Sequence, residues 1–137
     1  MQLTPLIAVH MTAALAALAT GPVALWARRG ASPRPRLHRA SGCAWVTLML
    51  VAALSDLFIR DYSLPNIAGY TAIHLLVPTT LLTLALSFWQ LALGNVVAHR
   101  WLMQGLYVGG CLVAGAFTLM PHRYLGQLVL VRWLGIA

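Results

Sequence analysis

The run from Ile67 to Leu93, IAGYTAIHLLVPTTLLTLALSFWQLAL, contains no Lys, Arg, Asp or Glu. A run of that length and apolarity is long enough to cross the roughly 30 Å hydrocarbon core of a bilayer. One imidazole, His74, lies inside it. Such a group is costly in lipid unless it meets a partner, a cofactor or a water-filled cavity. The first apolar run carries the same local phrase: Ala8-Val9-His10 there, Ala72-Ile73-His74 here.

Charge is scarce throughout. Only 8% of residues are charged, against about a quarter in a soluble domain. The chain therefore reads as an integral membrane protein. The two acids are Asp56 and Asp61, and every strongly basic residue is an arginine. The arginines gather mainly in one loop, as topology signals do. No basic stripe with interleaved aromatics is present, so nucleic acid is not an expected partner. Cys43 and Cys111 fall in different apolar runs and read as small hydrophobes rather than a disulfide. No CxxCH occurs, which excludes covalent c-type haem attachment. The first run has no basic residues before it and many after it, the reverse of a secretory signal peptide.

The spacing predicts four spans, at about 5–27, 38–59, 67–93 and 97–120, in a single membrane domain over residues 1–137. Thr4-Pro5 is a good helix start. His10, Ala14, Ala17 and Gly21 share one face of span one, where small residues admit another helix or a flat cofactor. Arg28–Leu37 reads as a loop because of Gly30, Pro33 and Pro35. Asn66 can cap span three, and Gly94-Asn95 can end it. Span four carries Gly105-x-x-x-Gly109, a spacing that suits close helix contact and is compatible with a homodimer. Residues 124–137 are too short to span and read as an interfacial helix on the membrane surface. The fold class expected is all-α: an up-down-up-down four-helix bundle in the membrane with an internal two-fold repeat.

Arginine counts orient it. Arg28, Arg29, Arg34, Arg36, Arg39 and Arg100 lie on one side, and Arg60, Arg123 and Arg132 on the other with both acids. The positive-inside rule then puts both termini outside a bacterial inner membrane.

The two halves echo each other. Span one has His10 and span two opens with His38-Arg39; span three has His74 and span four opens with His99-Arg100. In a bundle of this topology spans one and three are diagonal, as are two and four. His10 and His74 are thereby expected to face each other near the outer surface, about two turns in, and His38 and His99 near the inner one. Two neutral imidazoles across a bundle axis suit the iron of b-type haem, with one axial ligand on each face of the ring. Gly42 and Met103 lie one turn beyond the inner pair. Intramembrane histidines also commonly bond a backbone carbonyl, and basic helix starts commonly meet lipid phosphates. Asp56 admits a helix-end pairing with Arg60 at i+4 or proton and metal handling near His10 and His74. His122 reads as interfacial. Pro78 is placed to bend span three around a ring.

The pattern His10, His38-Arg39-x-x-Gly42, His74 and His99-Arg100 resembles the di-haem cytochrome b561 core. There, alternating helices of a four-helix bundle supply the axial ligands. The same residues, over about 5–122, resemble a bacterial four-helix family known as domain of unknown function 2306. The cytochrome resemblance implies two haems b, one on His10 and His74 and one on His38 and His99. It implies a membrane oxidoreductase passing electrons from a quinol or another small redox molecule to an acceptor across the bilayer. The chain is shorter than cytochrome b561 and has no Lys to hold ascorbate. An alternative is a non-haem zinc or copper site at the outer face, from His10, His74, His122 and Asp56. A further alternative is a structural subunit whose histidines only bond helices together.

Overall fold

In the computed structural model, residues 4–28, 34–60, 62, 65, 67–119, 126, 132 and 135 are described. They form four helical spans: α1 (Pro5–Trp26), α2 (Pro35–Asp56), α3 (Leu76–Ala92) and α4 (Val96–Leu106). A 3-10 turn, Ala72–Leu75, leads into α3. Beyond α4, the fourth span continues through a π-helical segment, Tyr107–Val113, into α5 (Ala114–Thr118). All four spans are long and apolar enough to cross a membrane. Among the described residues there is no strand, only an isolated bridge between Ile67 and Tyr70.

Local chemistry explains the boundaries. The Thr4 side chain accepts the Ile7 N–H at 3.3 Å, and Pro5 follows at the first helical position, where no N–H is needed. Span two starts at Pro35, earlier than the expected His38, because a proline at the first helical position is pre-organised rather than disruptive. It ends at Asp56, short of Ile59. Gly94 ends the third span with φ +76°, the left-handed conformation that glycine adopts freely. Asn95 then caps α4, accepting the Ala98 N–H at 3.1 Å.

The third span begins at Ala72, not Ile67. Ile67–Tyr70 is instead a tight turn in which Ala68 and Gly69 take positive φ, at 54° and 84°. His74 therefore lies in the first turn of its span rather than about two turns in. Pro78 falls in the first turn of α3, where helix donors have no partner anyway, so the helix need not bend to accommodate it. The segment 124–137 and the residues Asp61, Asn66 and His122 lie outside the described residues, apart from Gly126, Arg132 and Gly135.

α1 packs on α2, α3 on α4, α2 on α3, and α1 on the π-helical segment, which closes the ring. Spans one and three are diagonal, as are two and four. All four contribute to the core: Ala17, Trp45, Met49, Leu84, Leu106 and Cys111. Trp45 and Tyr107 meet there with ring centroids 6.5 Å apart. Trp26, Trp89 and Trp101 are exposed and lie toward the end where α1 joins α2 and α3 joins α4. Tryptophans at one level fit an interfacial belt.

One lock joins spans one and four. Pro22 has no N–H, so the Leu18 carbonyl loses its helical partner. In lipid that carbonyl must be satisfied by a neighbour. The Tyr107 hydroxyl donates to it at 3.2 Å. Gly21 makes this possible, since a Cβ there would collide with the Tyr107 ring.

Candidate functional site

The four histidines divide by which ring nitrogen carries the proton. At His10, Nδ1 lies 2.9 Å from the Ala52 carbonyl and 3.2 Å from Ser55 Oγ. A carbonyl only accepts, so Nδ1–H donates and Nε2 keeps its lone pair. At His38, Nδ1–H donates to the Ala24 carbonyl at 2.8 Å. At His99, Nδ1 lies 3.1 Å from the Ser87 carbonyl and 2.8 Å from its hydroxyl. The three share one arrangement: a backbone carbonyl on the adjacent span fixes Nδ1–H, and Nε2 has no partner among the described residues. Metal-bound histidines are oriented in this way.

His38 and His99 are equivalent in detail. Each is the fourth residue of its helix, and each bonds the last turns of the helix before it. The correspondence read from the sequence holds for this pair and not for His10 and His74.

His74 is different. Its Nδ1 accepts the Thr71 N–H at 3.1 Å, and its Nε2–H donates to the Ile59 carbonyl at 2.8 Å. Both ring nitrogens are engaged, and the side chain is buried, packed edge-on against Tyr70 at 5.1 Å. Thr71 and His74 make a capping box in which imidazole replaces the usual Glu or Gln. The spacing Thr-x-x-His before an apolar run was the available signal for this role.

At the end of the bundle nearest the N-terminus, a half-enclosed cavity of about 250 Å³ opens between all four spans. His10 and Asp56 line it, with Ala14, Ala52, Ala53, Gly110 and Gly115. His74 is not in its wall. No hydrogen bond or ring contact joins two histidines among the described residues. His10 and His74 thus lie at the same end, but only His10 faces the cavity. Among the described residues no three His, Cys, Asp or Glu side chains gather as a metal site. His122, required by the alternative zinc or copper reading, lies outside them.

Several contributors carry no sequence motif. Thr80 and Gly110 line the cavity, and Tyr107, Trp45 and Gly21 fill the bundle beyond it. The clue to Tyr107 was Pro22, which leaves a carbonyl that only another helix can satisfy.

Fold and site together define a four-span helical membrane protein in which three histidines tie the two helical hairpins and a fourth caps the third span. Residues 7–136 match the family described as predicted membrane protein (DUF2306), and the chain belongs to that family. No curated protein and no solved structure matches it.

Proposed function

We propose that this chain is a b-type cytochrome of the membrane, moving electrons between a quinol or another small reductant and an acceptor across the bilayer. The observation that carries this reading is the shared orientation of His10, His38 and His99, with Nδ1–H tied to a carbonyl and Nε2 left open. His38 and His99 would hold the iron at the end where the hairpins turn. They sit at matched positions on diagonal spans, and a Cβ at Gly42, one turn beyond His38, would meet nothing within 4 Å. Haem bound there supplies reversible one-electron transfer. The protein's part is to orient both imidazoles with Nε2 toward the iron.

A second haem on His10 and His74 fits less well. His74 would have to give up both Thr71 and Ile59. We therefore propose one haem, on His38 and His99.

The test is an absorption spectrum of protein purified from haem-replete cells. A Soret band that sharpens on reduction, with one haem per chain, is expected. His38→Ala and His99→Ala should each abolish it, and His74→Ala should leave it. A colourless parent protein refutes the proposal.

A further inference from the structure

The cavity beside His10 contains a second unengaged polar group. Thr80 is 5% exposed. Several other threonines in the spans bond back to their own helix: Thr12 to Ala8, Thr20 to Ala16, Thr47 to Cys43 and Thr79 to Leu75, at 2.6 to 2.9 Å; Thr83, on the wall of an adjoining groove, does not. Thr80 makes no hydrogen bond among the described residues, and it lines the cavity on the span diagonal to His10. Its oxygen is not sealed in the core, as Trp45 Nε1 is, so it is available to a ligand in the cavity.

A groove of about 290 Å³ runs between spans three and four, and it shares Leu76, Thr80 and Gly110 with the cavity. Gly105 and Gly109 form part of its wall, and a Cβ on either would meet nothing within 4 Å. The π-helical segment, of a kind that often marks functional sites, supplies Gly109 and Gly110. The groove therefore joins the cavity at Leu76, Thr80 and Gly110.

We infer that this cavity and groove bind a lipid-soluble quinol: a single ring with two oxygens and one apolar tail. His10 Nε2 is an acceptor, so it selects a ligand O–H. Thr80 donates to the oxygen on the other side of the ring. About 250 Å³ suits one substituted ring, and the tail lies along Gly105 and Gly109 toward lipid. The reduced form is preferred, because a quinone carbonyl would set its lone pairs against that of Nε2. The inference extends the electron-transfer reading by giving its donor a site, but binding itself needs no haem.

The test uses the full chain in nanodiscs of synthetic phosphatidylcholine, titrated with decylubiquinol and with decylubiquinone. Native mass spectrometry reads the bound fraction. Decylubiquinol should bind more tightly than decylubiquinone. Thr80→Val should weaken it about five- to tenfold, the value of one hydrogen bond. Gly105→Leu and Gly109→Leu, whose Cβ atoms meet nothing within 4 Å and whose side chains would occupy the groove, should each weaken it at least tenfold. Leu82→Ala, on the exposed face of α3, should leave it unchanged. Failure of the parent to bind, equal binding in all variants, or phosphatidylcholine retained in place of decylubiquinol overturns the inference. The absorption spectrum of the same samples separates the two proposals. No quinol binding with an intact haem band removes only this one, and quinol binding without any haem band removes only the other.

Discussion

Replacing Gly21 by Ala probes the contact that closes the helical ring. A Cβ at this position collides with the Cδ2–Cε2 edge of the Tyr107 ring and lies 3.1 Å from Trp45 Nε1. Neither ring can yield easily. Trp45 is buried in the core, and Tyr107 is tethered by its hydroxyl to the Leu18 carbonyl. Overpacking of this kind costs about 1–3 kcal/mol. If the ring turns aside instead, the Leu18 bond is lost at about 1 kcal/mol. The better helix propensity of Ala returns up to about 1 kcal/mol. The net expectation is a loss of about 1 kcal/mol, or roughly fivefold in the unfolding equilibrium at about 1.4 kcal/mol per tenfold. Tyr107→Leu alone should cost about 1–2 kcal/mol through the open carbonyl and the lost packing. In the double variant the collision disappears, so the losses should fall short of additive by about 2 kcal/mol. The assay is reversible unfolding of the purified protein in mixed micelles, followed by tryptophan fluorescence. A Gly21→Ala protein as stable as the parent, or strictly additive losses in the double variant, would refute the packing argument.

Three further outcomes follow from local geometry. Ala68 holds φ at 54° without being glycine, so Ala68→Gly should stabilise the turn by up to about 1 kcal/mol, read as a higher thermal midpoint. Thr71→Val removes the side-chain half of the capping box but keeps the backbone bond to His74 Nδ1. It should cost about 0.5–1 kcal/mol, with faster hydrogen exchange at the start of span three. Ser87→Ala leaves His99 tied to the Ser87 carbonyl alone. It should therefore shift the midpoint potential of any bound haem while leaving haem content intact, measured by redox titration.

Much of the architecture was legible because lipid enforces simple rules. The spans, Thr4-Pro5 and Gly94-Asn95 all follow from length, apolarity and capping chemistry. The start of span three was not legible: Ile67–Tyr70 is apolar enough to pass for helix, yet it folds as a turn, with Arg60 stacked over Tyr70 at 3.7 Å. The π-helical segment leaves no periodic signature either, since Gly109 and Gly110 suit several backbones. For the histidines, spacing placed them at the right ends of the right helices but could not say which ring nitrogen is free. That depends on which carbonyls lie within reach, and it separates His74 from the other three.

The bond between Tyr107 and Leu18 also constrains how the chain assembles. His38 ties α1 to α2, and His99 ties α3 to α4, so each hairpin carries its own fastening as it enters the membrane. Leu18, by contrast, waits for a hydroxyl 89 residues further along. Until span four arrives, the first hairpin holds an open carbonyl and a notch at Gly21. That exposed pair is a docking mark: it rewards only a second hairpin that brings Tyr107 to the correct depth. Biogenesis thus has a natural order, with two hairpins made separately and one tyrosine completing the ring.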